Sequence, residues 1–343
     1  MKALRLQRLT TIDAQARPLE LIEIPEPVPG PGEVLIRVSA CGVCHTELDE
    51  IEGRTPPPNL PVTLGHQVVG HVVHCGPRPS SLRPGMRVGV GWIYSACGRC
   101  ARCTAGFENL CDGFVATGRD VDGGYAEMMV ARQDFVYPLP DSGLSDAETA
   151  PLLCAGAIGY RSLRLANLRP GGRLGLTGFG ASAHLVLKLV RFTDPDAEVF
   201  VFARSDAERA FARALGAAWT GDAADTAPAL LDAIIDTTPA WAPVVRALSN
   251  LAPGGRLVIN AIRKEEADRH LLASLDYPSQ LWMEKEVKSV ANVTRRDVAD
   301  FLRAAAAMDL RPEVQEYALR DANQALIDLK SRAVRGAKVL RVA

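Results

Sequence analysis

Four thiols fall within fifteen residues, spaced Cys97-x2-Cys100-x2-Cys103-x7-Cys111, and no other feature constrains the local fold so tightly. Gly98 and Gly106 permit the tight turns that let successive sulfurs converge. Tetrahedral zinc, with Zn–S bonds of about 2.3 Å, takes such a set as a closed structural site. Iron–sulfur clusters also bind four cysteines, but usually with a proline after the last and at other spacings. The density of the run therefore predicts structural zinc, and says little about what that zinc accompanies.

A second set of metal-ligand residues is dispersed. Cys44 stands in Cys-Gly-Val-Cys-His-Thr, His66 in Leu-Gly-His-Gln and Cys154 in Pro-Leu-Leu-Cys-Ala-Gly. Two thiolates and one imidazole leave one position of a tetrahedral zinc open to water or substrate, which is the ligand count of a catalytic site. Taken singly, each of the three reads better as a packed core residue than as a ligand. Cys41 and Cys75 remain as free thiols.

At 343 residues the chain is long for one hydrophobic core, so two domains are expected. A net charge of −1 gives no reason to expect nucleic acid or an anionic membrane as partner. No apolar run approaches the roughly 18 residues of a membrane helix. The opening Met1-Lys2-Ala3-Leu4-Arg5 runs into a strand-like pattern rather than a signal peptide, and metal-type cysteine spacing fits a reducing, cytoplasmic setting.

Residues 1 to about 155 read as short strands punctuated by Pro and Gly, among them Glu33–Val38 and Gln67–Val73, with one short helix over Thr46–Glu52. From about Cys154 strands alternate with helices, the pattern of βαβ units on a parallel sheet. Arg173–Thr177 and Glu198–Phe202 read as strands, Ala181–Phe192 and Asp206–Leu215 as helices, and Ala233–Ile235 and Arg256–Ile259 as further strands. A helix over Asp297–Met308 and a helix–strand unit close the chain. His71 and His74 read as surface or core-edge residues, His270 as part of a polar helix, and the basic stretch Arg332–Arg341 as a solvated face.

Gly178-x-Gly180-x-x-Ala183 follows one of these strands and opens a helix, the setting that the dinucleotide fingerprint requires. An NAD-binding chain places Asp or Glu at the end of the next strand, where it accepts the ribose hydroxyls. Here that position is Ala203, followed by Arg204 and Ser205. A guanidinium and a hydroxyl suit a 2′-phosphate, so NADP(H) is predicted over NAD(H); Asp206, one turn away, argues the other way.

Together these motifs resemble the zinc-containing alcohol dehydrogenases of the medium-chain dehydrogenase/reductase superfamily, essentially end to end. The resemblance rests on Gly42-Val43-Cys44-His45-Thr46, Gly65-His66, the four-cysteine lobe, Trp92, Gly123-Gly124-Tyr125-Ala126-Glu127, Leu153-Cys154-Ala155-Gly156 and Gly178-Phe179-Gly180. Cys-His-Thr and the tryptophan five residues before the lobe are closer to the yeast type than to the liver type. The resemblance implies an α/β architecture: a GroES-like β-barrel catalytic domain, residues 1–155 plus 294–343, and a Rossmann doubly wound parallel sheet over 156–293. It implies that Cys44, His66 and Cys154 hold a catalytic zinc, and that Cys97, Cys100, Cys103 and Cys111 hold a structural one. Thr46 would hydrogen-bond the substrate oxygen, His45 would lie near the cofactor pyrophosphate and Trp92 would wall the substrate pocket. Lys338 stands where relatives carry an arginine directed at cofactor phosphate.

Three positions depart from the family pattern. Gln67 replaces the glutamate after the histidine ligand, Glu47 replaces an aspartate, and Asp49 stands where many members place the outer histidine of a proton relay. An aspartate, with an unperturbed pKa near 3.9, is poorly matched to that task. The expected function is a zinc-dependent alcohol dehydrogenase or aldehyde reductase using NADP(H) on a small-molecule alcohol or carbonyl, with two zinc ions per chain. The resemblance further implies a homo-oligomer, a dimer or tetramer. The alternatives are a relative acting on polyols or cinnamyl-type alcohols, with Arg119 or Trp282 marking the pocket, and a zinc-stabilised protein with little turnover.

Overall fold

The computed structural model describes residues 1–78, 80–331 and 336–342. The chain divides into two compact units, residues 1–154 with 294–343, and residues 155–293.

The first unit is built on the long strand Glu33–Val43. Val34, Ile36 and Val38 alternate along it and are fully buried. It pairs antiparallel with Gln67–Cys75, Met128–Arg132 and Ala337–Arg341. Arg87–Val90, Val136–Pro138 and Val314–Ala318 complete this seven-stranded sheet. The expected short helix, α1, spans His45–Ile51, a residue earlier at each end than the sequence pattern predicts, because Cys44 rather than His45 is its N-cap; Ala101–Thr104 and Asp146–Thr149 are further short helices that the pattern did not show.

The basic C-terminal stretch departs from expectation. Residues 332–335 lie outside the described residues, but Ala337–Arg341 is an interior strand rather than a solvated face. It lies between Glu33–Val43 and Val314–Ala318, and its Lys338, Val339 and Leu340 are buried. Basic residues at every third position of the stretch conceal this, since strand burial is set by which neighbours pair with it.

In the second unit six strands, β1 (Arg173–Thr177), β2 (Glu198–Phe202), β3 (Trp219–Gly221), β4 (Leu231–Asp236), β5 (Leu251–Ile259) and β6 (Glu286–Ser289), form one parallel sheet. Their order is β3-β2-β1-β4-β5-β6, so the direction of winding reverses between β1 and β4. Both faces are covered. Leu174, Leu176, Val199, Val201, Ile235 and Val258 pack on one, and Phe200, Phe202, Ile234 and Leu257 on the other. Continuous apolar runs are what a doubly covered parallel sheet requires. Helix α2 (Ala181–Thr193) follows β1 and helix α3 (Asp206–Ala214) follows β2. His270 sits in a 3-10 turn, Arg269–Ser274, not in a regular helix.

The residue that ends α1 ties three segments of the first unit together. Glu52 accepts the Ile12 N–H at 2.9 Å and pairs with both Arg54 and Lys330. Burial alone would raise its pKa, but Lys330, the Ile12 amide and Arg54 outweigh burial and push it down to about 2. A carboxylate with a depressed folded-state pKa stabilises the fold fully above its unfolded value, about 4.3, and loses that contribution as pH falls toward the folded value. The stability difference between wild type and Glu52→Gln is therefore expected to be constant from pH 6 to 7 and to shrink between about pH 4.5 and 2. Thermal melts across that range check it; a difference that does not vary with pH would remove Glu52 from this role.

Candidate active site

Cys44 occupies the N-cap of α1, with extended backbone, and its sulfur accepts the Thr46 N–H at 3.4 Å. The helix is closed by a capping box in which Glu47 reaches back to the Cys44 N–H, Oε2 at 2.8 Å. The other oxygen of Glu47 lies 2.7 Å from His66 Nδ1. One buried carboxylate thus positions two of the three dispersed residues. With Nδ1 committed to Glu47, Nε2 faces the Cys44 sulfur at 3.8 Å.

His66 follows Gly65, whose φ of 96° is in the left-handed region and whose added Cβ would meet the Tyr125 ring at 2.4 Å. Gly124 and Tyr125 bond back to this segment, Gly124 N–H to Gly65 C=O at 2.8 Å and Tyr125 N–H to Leu64 C=O at 2.9 Å. The Gly-Gly-Tyr motif therefore sets the backbone that presents His66. Cys154 ends the 3-10 turn Ala150–Leu153. The ligand atoms of Cys44, His66 and Cys154 all lie within 4.8 Å of one another.

The electrostatics fit a metal. A hydrogen bond with Cys154, then burial and the charge of Glu47, hold the Cys44 thiol well above its ordinary pKa. Burial alone would lower His66, yet the Glu47 and Cys44 charges hold it well above the ordinary histidine value. Burial would likewise raise Glu47, but His66 keeps it low. These are protons that Zn²⁺ would displace, since its ligands are thiolates and neutral imidazole.

In the lobe, the Cys97 and Cys103 sulfurs are 3.9 Å apart, as are those of Cys100 and Cys111. Tetrahedral zinc with bonds of about 2.3 Å places sulfurs about 3.8 Å apart. Backbone N–H groups already face the sulfurs: Cys100 N–H to Cys97 at 3.4 Å and Cys103 N–H to Cys100 at 3.5 Å. The amides of Arg99 and Cys100 push Cys97 down to about 6, toward the thiolate that a metal needs.

Other expected site residues lie as follows. His45 is exposed at the head of α1 and Thr46 is half-buried beside it. Asp49 is buried and paired with Arg54. Gln67, buried, begins its strand opposite Gly42, where an added Cβ would meet the amide at 2.8 Å. Trp92 packs on Phe114 with ring centroids 5.3 Å apart, and Arg119 stacks over both rings, 5.5 and 5.7 Å from their centroids. Arg119 is also paired with Asp120 at 2.8 Å. Trp282 is exposed, Tyr277 beside it at 5.8 Å. Lys338 is buried and donates to Gly336 C=O at 3.3 Å.

Sequence reasoning passed over Glu50. It is buried on α1, and burial together with the charge of Glu47 raises it well above the carboxylate range, while His66, Trp92 and Arg119 partly offset this. Its place three residues after Glu47, on the same helix face, was the available signal.

In the second unit, the fingerprint turn has Gly178 at φ 77°, and Gly180 caps α2 with no side-chain bond. A Cβ on Gly180 would meet nothing within 4 Å, so the chain is open at the residue that begins α2. Ala183 is buried against the sheet. After β2, Ala203 is buried and Arg204 exposed; among the described residues the Arg204 side chain has no hydrogen-bond or ion-pair partner. Ser205 caps α3, its Oγ accepting the Glu208 N–H at 3.1 Å. Asp206 is paired with Arg209, which also donates to Ala203 C=O at 2.6 Å. Arg209 was the other residue that the sequence reading missed, although its i,i+3 spacing from Asp206 was visible.

If Glu47 orients His66, Glu47→Gln should weaken metal retention at the three-residue site about 10–100-fold and leave the lobe unchanged. Metal content after dialysis against graded chelator tests this, and equal retention at both sites would sink it.

Comparison with known proteins agrees with this geometry. Residues 30–141 match the family described as the alcohol dehydrogenase GroES-like domain. The probable alcohol dehydrogenase AdhA of Mycobacterium tuberculosis is 42% identical over 330 residues, covering 95% of this chain and 93% of that one. An alcohol dehydrogenase of Geobacillus stearothermophilus is 33% identical, covering 94% and 96%. Among solved structures, a cinnamyl alcohol dehydrogenase from Sorghum bicolor aligns with a TM-score of 0.83 at 26% identity, over 99% of this chain and 97% of that one. With its GroES-like and parallel-sheet units, its two cysteine-based clusters and this likeness along nearly its whole length, the chain belongs to the zinc-containing alcohol dehydrogenases of the medium-chain dehydrogenase/reductase superfamily.

Proposed function

We propose that the protein is a zinc-dependent alcohol dehydrogenase or aldehyde reductase that prefers NADP(H) and carries two zinc ions, one catalytic and one structural. The reading is carried by the convergence of the Cys44, His66 and Cys154 ligand atoms within 4.8 Å, with Glu47 at the far side of the imidazole. When bound, zinc supplies a Lewis acid at the substrate oxygen and the nicotinamide donates or accepts hydride.

The chain's own groups do the rest. Thr46 would hydrogen-bond the substrate oxygen and hand its proton outward. Asp49 is the candidate for the outer end of that path, its carboxylate fixed in place by Arg54. His45 is the candidate for the pyrophosphate, with the amides of α2 and the turn Gly178–Gly180. Trp92 would bound the substrate. Glu47 orients His66, and Gln67 is a neutral neighbour to the site where relatives carry a charge.

Preference for NADP(H) rests on Ala203, Arg204 and Ser205. No carboxylate stands at the end of β2, and the nearby, exposed Asp206 is paired with Arg209. The Ser205 oxygen accepts from the helix, which leaves its O–H hydrogen to donate to phosphate.

A second reading, an aromatic or cinnamyl-type alcohol as substrate, is favoured by the aromatic pair Trp92 and Phe114, tilted 46° to one another with Arg119 over both rings.

Aldehyde reduction should run faster with NADPH than with NADH. Arg204→Ala should raise the KM for NADPH roughly 10–100-fold, the loss of a charge-assisted phosphate contact of about 1.5–3 kcal/mol, and leave NADH kinetics nearly unchanged. Faster turnover with NADH in wild type would defeat the 2′-phosphate assignment and keep the enzyme class. Cys154→Ser should lower zinc from two ions per chain to one and abolish turnover; two retained ions with full activity would refute the catalytic assignment of that cysteine.

A further inference from the structure

At the carboxyl ends of β1 and β4 a buried ion pair ties the fingerprint turn to a loop that no motif marks. Asp236, the last residue of β4, is fully buried, and Lys264, from the segment after β5, pairs with it with only 8% of its side chain exposed. Asp236 Oδ1 accepts the hydroxyls of Thr177 at 2.6 Å and Thr238 at 2.8 Å. The Lys264 ammonium also donates to the carbonyls of Thr238 at 2.7 Å and Ala240 at 3.0 Å. Three more bonds strengthen the clasp. Glu265 N–H donates to Pro239 C=O at 2.7 Å, and the Asp268 carboxylate accepts the N–H groups of Trp241 and Ala242 at 2.9 and 2.8 Å.

The clasped loop, Thr237–Ala240, is the surface on which the first fingerprint glycine rests. A Cβ on Gly178 would meet Thr237 Oγ1 at 2.8 Å and Thr238 Cγ2 at 3.0 Å, and Thr237 Oγ1 donates to Thr177 C=O at 3.0 Å. A buried Asp–Lys pair is costly to desolvate, so its presence calls for a task beyond packing. In an open parallel sheet the ligand lies outside the carboxyl ends of the strands, across the point where winding reverses. That point is between β1 and β4, and the β2 side, with Ala203–Ser205, is the adenosine side. The loop after β4 therefore underlies the other half of a dinucleotide.

We propose that Lys264 and Asp236 are positioning residues for the nicotinamide half of the cofactor: by clasping Thr237–Ala240 against the Gly178 turn they fix the floor on which that half lies. The inference rests on the cofactor class proposed above. It predicts a selective defect, because the adenosine side is built from β2 and α3, and the clasp reaches β2 only through the Gly178 turn, whose N–H donates to Phe202 C=O at 2.9 Å.

Lys264→Met alone leaves a buried, unpaired carboxylate that endangers folding, so the main test uses Asp236→Asn/Lys264→Met, which removes both charges, with Lys264→Arg as the conservative partner. Binding is read directly from NADPH fluorescence and from titration with adenosine 2′,5′-bisphosphate, which lacks the nicotinamide half. The double variant should bind NADPH roughly tenfold more weakly (about 1.4 kcal/mol) and the bisphosphate within about twofold of wild type, with Lys264→Arg restoring much of the loss. Equal loss for both ligands, or no loss for either, overturns the positioning role. Wild-type protein that binds neither ligand overturns the cofactor reading on which the clasp rests.

Discussion

A single buried carboxylate holds two of the three dispersed candidate ligands, Cys44 and His66, in register. Glu47 closes the capping box of α1 through the Cys44 N–H and meets His66 Nδ1 with its other oxygen. A shared acceptor of this kind couples the start of a helix to the tautomer of a ligand 22 residues further on. It also gives a physical meaning to the longer side chain. The extra methylene relative to aspartate spans the capping geometry while the second oxygen stays on the imidazole. Gly65 and the Gly-Gly-Tyr segment matter because they present His66 to that carboxylate.

A second theme is internal neutralisation. In the nucleotide-binding unit acidic residues near the strand ends are each matched by a basic residue from a nearby segment, Asp206 by Arg209 and Asp236 by Lys264. The first pairing lies at the surface, with Asp206 exposed beside Arg204 and its charge met by Arg209. The second lets a carboxylate hold the Thr177 and Thr238 hydroxyls inside the fold while its Lys264 partner binds the Thr238 and Ala240 carbonyls.

The four-cysteine lobe was legible in the sequence because all its ligands lie within one local run, so spacing alone encodes their convergence. The fingerprint was legible for the same reason, a strand, a turn and a helix in immediate succession. Helix limits lay within one or two residues of the pattern, and capping residues such as Ser205, Thr294 and Cys44 account for where they begin. The stretch ending at Arg341 was misread because basic residues recur along it at every third position, while its burial comes from the long-range partner Glu33–Val43. Glu50 and Lys264 carried no motif, and only packing revealed them as buried charges.

By itself, then, the sequence determined the fold class and marked the four-cysteine run, which depend on periodicity and local spacing, while Cys44, His66 and Cys154 were marked through the family resemblance and are brought together by the fold. The tertiary structure decided what the departures from the family pattern do. It put Glu47 on the far side of His66, Asp49 against Arg54 and Asp236 under Lys264. Those outcomes depend on which side chains meet through the fold, and a one-dimensional pattern holds no record of a contact until the chain has closed on itself.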